Sequence, residues 1–441
     1  SEGLDAVFDN LSAAGVTSIS TTLRMGEPSD APGSKRIPEL HMDGWRRKLS
    51  RPAFGRREFN YKSYSAFDHD VSEYDESVYS PIRESVPEDV DRSLPFAILE
   101  EAKRRGFEVY IQVHPLMPPG LHERHMPSYP DGTSPKAPQI AFYGNPAEPT
   151  IRAYGLGLVR DTLKHAPSID GLFVDWTEYG AYRFEDLFVG IDPATKRWGR
   201  ERGYNWDQIE RDVRDLWARF HQLRVSDCEP GGFARLFETY SGWSELQKLK
   251  AEIVASYYRD VRATVDQAAC GNETRLMARG WPPPWNRMSG LWYEELGDVC
   301  DVATPKLFAF DYCAIPRWYG ERLLEWNRGL DEREILRGIA SWLGLSIRSG
   351  FETLESFRIP AADEEHPIGV NWYRDRVRAV RSMVGKKMLV RPFAHAHMPD
   401  AMWKELVKML WTEAPDGVWV QMYAYLSDSK LTILRDQWRR T

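Results

Sequence analysis

Residues 168–180, Ser-Ile-Asp-Gly-Leu-Phe-Val-Asp-Trp-Thr-Glu-Tyr-Gly, restrict the fold more than any other stretch of the chain. Leu172, Phe173 and Val174 form an apolar run too short for a helix. Asp170 and Gly171 precede the run and polar residues follow it, so it reads as a buried strand entering a loop. A helical stretch at about 150–165 comes just before. Strand, helix, strand in that manner is the pattern of a parallel sheet.

The alternation continues in both directions. Strands are predicted at 16–23, 107–113, 139–143, 274–279, 301–310, 386–393 and 417–425, besides the one at 171–174. Helical spacing appears at 4–11, 90–105, 207–222, 243–269, 317–328, 332–343, 372–384 and 401–411, with a final helix closing the chain. Eight strands with helices between most of them predict an α/β fold, a single (β/α)8 TIM barrel with long βα loops. Strand eight is then expected to close against strand one. A doubly wound sheet is the competitor, but no Gly-rich phosphate fingerprint follows strand one. The whole chain, 1–441, is read as that barrel domain. Residues 25–87 show no period and are rich in Ser, Asp, Arg, Tyr and Pro. So long a connection is read as a lid over the barrel mouth, carrying Asp68, His69, Asp70, Glu73 and Tyr74.

Charge and composition exclude some functions. The formal net charge is −7 and there is no Lys/Arg-rich tract, so nucleic acid is not an expected partner. No apolar run reaches membrane-spanning length. The four cysteines, Cys228, Cys270, Cys300 and Cys313, are scattered without a CxxC pair and suit a reducing compartment. With no basic-then-apolar leader visible, a cytoplasmic protein is expected. The 17 Trp and 20 Tyr provide flat rings with a polar edge, which suit sugars as well as cores. No cofactor motif is present, and oligomeric state is not readable.

In a parallel barrel the carboxyl ends of the strands carry the site. Asp175 and Glu178 stand at such an end beside Trp176, and are the candidate catalytic pair. Other strand ends supply Arg24, His114, Asn145, Arg279, Lys306, Asp311, Arg391, His395, Gln421 and Tyr423 as candidate substrate contacts. Arg24, Arg279, Lys306 and Arg391 together would make the pocket cationic, which suggests an acidic sugar or sugar phosphate.

At these motifs the chain resembles the family-10-like glycosyl-hydrolase-like barrels. The resemblance is carried by Glu101-Ala-Lys-Arg-Arg-Gly-Phe-Glu-Val-Tyr110, Asn145-Pro-Ala-Glu-Pro149, the Asp170 to Tyr179 strand and Asp301-Val-Ala-Thr-Pro-Lys306. It implies a barrel and sugar-directed hydrolysis as a class, without a substrate. The segment 170–178 is also similar to the chitinase signature of glycoside hydrolase family 18. It departs from it in having Phe173 for the middle Asp and Glu178 one residue late.

Most glycoside hydrolysis uses one protonated carboxyl to protonate the leaving oxygen and a second, ionised one as nucleophile or base. Asp175 and Glu178 are the right types for that. A metal-dependent sugar isomerase, epimerase or lyase on the same fold is the alternative, with His114, Asp175, Glu178, His395 and His397 as possible ligands. No local ligand motif supports a metal. A non-catalytic carbohydrate-binding barrel is the third reading.

Overall fold

A computed structural model describes residues 2–438 apart from 33, 38–47, 82–85, 89, 137–142 and 269–272. The strands are β1 (Ser18–Thr21), β2 (Arg24–Pro28), β3 (Lys35–Ile37), β4 (Phe59–Ser65), β5 (Glu108–Val113), β6 (Gly171–Val174), β7 (Arg275–Gly280), β8 (Val302–Leu307), β9 (Leu389–Val390), β10 (Phe393–His395) and β11 (Trp419–Gln421). The main sheet runs β1-β5-β6-β7-β8-β10-β11, with β9 also on β8, and every pairing in it is parallel. Helices at Leu94–Arg104, Pro149–His165, Ser241–Ala268, Ala309–Trp326, Val370–Val384 and Asp400–Glu413 lie between these strands in the chain. The architecture is therefore α/β, as the alternation predicts.

The strands start alike. Asp170, just before β6, accepts the Val109 N–H of β5 at 2.6 Å. Asp301, just before β8, accepts the Leu276 N–H of β7 at 2.7 Å. Asp416, ahead of β11, accepts the Val390 N–H of β9 at 2.9 Å. Each carboxylate satisfies an amide at the lower end of another strand, which would otherwise be an orphan donor. The Asp-Gly pairs at 170–171 and 416–417 are thus fasteners between strands.

Above these fasteners the inward residues form two layers. Tyr110, Phe173, Met277, Val302, Phe393 and Trp419 pack into one buried apolar cluster, one residue from each of β5, β6, β7, β8, β10 and β11. Phe173 meets Tyr110 at 5.9 Å, Phe393 at 6.0 Å and Trp419 at 4.9 Å between ring centroids. Its neighbours Leu172 and Val174 belong instead to the large outer core shared with the helices. Alternation with period two sends successive residues to opposite faces. Two residues beyond Tyr110, Phe173, Met277, Phe393 and Trp419 stand Gln112, Asp175, Arg279, His395 and Gln421, so a polar layer lies on the apolar plug.

Two expectations need correction, and a third lies outside the described residues. Among the described residues β11 and β1 form no ladder, so the sheet is curled but not closed by backbone pairing. Both edge strands are short, three and four residues, which limits the pairing they can offer. Side chains bridge the flanking segments instead, with Asn10 Nδ2 donating to the Tyr423 hydroxyl at 2.8 Å. The strand expected at 139–143 falls almost wholly outside the described residues. The strand expected at 301–310 ends at Leu307, and a helix begins at Ala309. The run Leu307-Phe-Ala-Phe310 is apolar on every residue, so it carries no period to separate strand from helix.

The segment 25–87 is more regular than its composition suggests. It begins at the carboxyl end of β1 and holds the antiparallel sheet β2-β4-β3. Its later part binds the outer helix Pro149–His165. His69 Nδ1 lies 2.6 Å from Asp161, the Tyr74 hydroxyl donates to Asp161 at 3.1 Å, Glu73 pairs with Arg160 at 2.8 Å and Asp70 with Lys164 at 2.5 Å. Asp68 pairs with Arg92 at 3.0 Å. These side chains fasten the segment to the scaffold. Cys228, Cys300 and Cys313 are buried free thiols, and Cys270 lies outside the described residues. No helix among the described residues is long and apolar enough to cross a membrane.

Candidate active site

Asp175 leaves β6 and enters the polar layer at 2% exposure. Lys306 Nζ of β8 is 2.9 Å from its Oδ1, and Arg279 Nη1 of β7 is 3.3 Å from its Oδ2. Gln112 Nε2 of β5 donates to Oδ2 at 3.1 Å, and His114 Nε2 is 3.7 Å away. Three other strands thus converge on the carboxylate carried by β6. Burial by itself would raise its pKa. The adjacent Arg279 and Lys306 charges outweigh burial and hold it at about 2.

Trp176 follows with φ of 61°, a left-handed conformation that bulky residues rarely adopt. The turn aims its N–H back at Asp175 Oδ1, 3.0 Å away, and sets its ring 4.5 Å from Lys306 Nζ. That distance allows a cation–π contact. Tyr182 then packs 5.8 Å from Trp176, and Trp281 4.6 Å from Tyr182, extending an aromatic wall.

Glu178 lies two residues further on and is also buried. Its Oε1 is 3.4 Å from the same Lys306 Nζ, while its Oε2 has no hydrogen-bond partner among the described residues. Burial raises the Glu178 pKa and the Asp175 charge adds to that rise. Lys306 opposes both without cancelling them. The loop that holds Glu178 is pinned from behind. Thr177 Oγ1 donates to the Tyr258 hydroxyl at 3.0 Å, that hydroxyl donates to Val174 O at 3.2 Å, and Tyr179 N donates to Ser289 O at 2.8 Å.

Arg279 is fixed by more than Asp175. It donates to Gln112 Oε1 at 2.7 Å and to Gln421 Oε1 at 3.1 Å, and its guanidinium carbon lies 3.9 Å from the Phe393 ring centroid. The plug below therefore supports the cation above. Partial burial pushes the His114 imidazole down, against the pull of Asp175, although 37% of its side chain remains accessible.

The structure brings together Asp175, Glu178, Trp176, Arg279, Lys306, His114 and Gln421 from the sequence candidates. Gln112, which alternation places on the same face as His114, joins them. His395 ends β10 next to this layer, buried against Phe310 and Tyr425 at 4.7 Å each, with its Nδ1 accepting the His397 N–H at 3.0 Å. The remaining five are elsewhere. Asn145 is wholly buried in a separate network, donating to Asp192 at 2.8 Å and accepting from the Tyr179 hydroxyl at 3.2 Å, so it anchors the loop and stands apart from the Asp175 cluster. Asp311 sits in the first turn of the helix Ala309–Trp326, not at a strand end. Arg24 is exposed on β2 and donates to Ser63 Oγ at 3.0 Å and Ser63 O at 2.9 Å.

Arg391 lies at the amino-terminal end of the sheet, 3.8 Å from Glu108 and donating to Asp416 O at 2.8 Å. Tyr423 falls past the end of β11 and donates to Glu2 at 2.6 Å. The four-cation pocket expected for an acidic sugar is therefore not assembled. Two of its cations are paired with Asp175 and two lie outside. Among the described residues no three His, Cys, Asp or Glu side chains converge as a metal-binding group. The oxygens of Asp175 already face an ammonium and a guanidinium, which leaves it poorly placed as a metal ligand.

The residues missed in the sequence are the buried supports, above all Tyr258 and Ser289. They come from distant segments and carry no local signal.

No family model matches the chain, and no curated protein matches it by sequence. The family-10-like resemblance therefore rests on its short motifs alone. Among solved structures, the PgaB (BpsB) glycoside hydrolase domain from Bordetella bronchiseptica aligns over 82% of this chain and 82% of its own, at 12% identity and a TM-score of 0.47. The catalytic domain of a β-amylase from Paenibacillus polymyxa aligns over 81% and 87%, at 8% identity and 0.47. A β-galactosidase from the psychrophilic Marinomonas ef1 aligns over 82% of this chain and 53% of its own, at 10% identity and 0.46.

Proposed function

We propose that the chain is a glycoside hydrolase in which Glu178 is the proton donor and Asp175 the ionised partner. One observation carries this reading. Two carboxyl groups at the end of one strand share the Lys306 ammonium, yet Asp175 is held at about 2 while Glu178 is raised above its ordinary value. Such a split separates an acid from a nucleophile or base.

Both carboxylates lie within reach of one ammonium, so their facing oxygens are no more than two such contacts apart. That favours the short spacing of a retaining pair over the wider one that leaves room for water. Asp175 would attack the anomeric carbon while Glu178 gives its proton to the leaving oxygen. Glu178, then ionised, would take a proton from the water that releases the sugar. Lys306 stabilises the anionic Glu178 formed in between. Trp176 offers a flat face beside the reacting carbon.

The test is a panel of aryl glycosides with activity and thermal melting recorded together. Asp175→Asn should abolish turnover and keep the fold. Glu178→Gln should slow substrates with poor leaving groups by roughly 10²–10⁴-fold and largely spare those whose aglycone needs no proton. Wild-type turnover in Asp175→Asn would overturn the reading.

A further inference from the structure

The hairpin at 49–57 stands on the rim of the same mouth. Its stem is tied to the chain just past β11, where Arg51 N donates to Ala424 O at 2.9 Å and Arg51 Nε to Leu426 O at 2.6 Å. Arg51 also pairs with Glu2 and Asp428. Ala53 and Arg56 exchange both backbone hydrogen bonds at 2.9 Å, leaving Phe54 and Gly55 as a two-residue tip. Both have positive φ, 51° and 70°, the geometry of a type I′ turn. That turn favours Asn, Asp or Gly at its first central position. Here Phe54 occupies it, strained and 55% exposed, with an edge contact to Phe59 at 5.6 Å between centroids. A strained conformation that presents an apolar ring to water gains nothing for the fold, and strain of this kind clusters at binding sites.

The charges around the tip are equally unpaired. Lys48, Arg56 and Arg57 are exposed, and among the described residues their side chains have no hydrogen-bond or ion-pair partner. Leu49 N donates to Arg57 O at 2.9 Å, which sets Lys48 beside Arg57. Glu58 is the nearest acidic residue in sequence and has interactions of its own. A local excess of three cations on a chain of net charge −7 is a directed feature. The hairpin is also continuous with the site. Phe59 begins β4, β4 pairs with β3, and the Lys35 charge on β3 acts on His114, which stands beside Asp175.

We propose that this hairpin is an outlying subsite for an anionic polysaccharide, a polyuronate-type chain whose sugar face stacks on Phe54 and whose carboxylates meet Lys48, Arg56 and Arg57. It rests on the glycosidase reading for what enters the mouth, and it moves the anionic preference from the pocket to the rim. One exposed ring is too small an apolar set to hold a bilayer. Flat stacking with adjacent cations is suited to a charged sugar chain.

The experiment is affinity electrophoresis of the Asp175→Asn chain through gels containing polygalacturonate, alginate or neutral dextran, beside flotation with phosphatidylserine vesicles. Turnover plays no part, so failure here is distinct from failure of the glycosidase reading. The two polyuronates should retard the protein and dextran should not, and retardation should fade with rising salt. Phe54→Gly should weaken binding about fivefold, while its melting temperature holds or rises because glycine suits the turn. The triple variant K48S/R56S/R57S should reduce polyuronate binding to the dextran level. Equal retardation by dextran, binding unchanged in either variant, no retardation at all, or vesicle binding in place of polyuronate binding would each overturn the proposal.

Discussion

Lys306 Nζ lies within 3.4 Å of both candidate catalytic carboxyl groups, and its placement sets what each can do. Asp175 takes the closer contact and the second cation, Arg279, so it stays ionised. Glu178 shares the ammonium but is buried beside the Asp175 charge, and one of its oxygens has no partner among the described residues, so it keeps its proton to higher pH. A consequence for stability follows. The Asp175 pKa is about 2 in the folded chain against an ordinary 3.8. Its contribution is complete above the ordinary value and is lost as pH falls from about 4 towards 2. Melting temperatures measured across that window should therefore fall less steeply in Asp175→Asn than in the wild type. The difference should be about 2 kcal/mol. Parallel curves would mean that Asp175 is not held ionised by its neighbours. In the proposed mechanism Asp175 should set the acid limb of the activity profile and Glu178 the alkaline limb. The alkaline limb should move down in pH if a variant opens Glu178 to water.

At the scale of elements, β6 shows how packing and chemistry share a strand. Phe173 faces the plug, Leu172 and Val174 face the helices, and Asp175 emerges on the plug side. Phe173→Ala should cost about 3–5 kcal/mol in denaturant unfolding and lower activity as well, because the cavity opens under the Arg279–Asp175 contact. A loss below about 1 kcal/mol would show that the plug is not packed as described. The same strand explains what could be read beforehand. A strand start marked by Asp and a fully apolar run are local signals, so β6, β7 and the start of β8 were legible, as was the Asp175–Glu178 pair. Arg24, Asn145, Arg391 and Tyr423 were not. A polar residue near a strand end looks the same whether it faces a pocket, a buried network or the opposite rim. Only the register decides, and β9, β10 and β11 are two to three residues long. The β2-β4-β3 sheet was missed because its pairings join distant, half-exposed residues with weak alternation.

At the scale of the molecule, the parallel sheet curls far enough to enclose a plug, with no backbone seam between β1 and β11 among the described residues. The edge strands should be the least protected part of the sheet. Hydrogen exchange is expected to be faster at 18–21 and 419–421 than at 171–174 and 275–280, and equal protection would indicate a closed barrel. The strand β6 is fixed below by the Asp170 clasp on Val109 and above by the Trp176 turn. Five residues, 171–175, separate these fixed points, and alternate ones serve different layers. Deleting a single codon between them would exchange the plug residue for a helix-facing one and draw Asp175 out of phase with Arg279 and Lys306. Heritable changes in length must therefore settle in the loops, and β6 can drift in residue type but not in residue count.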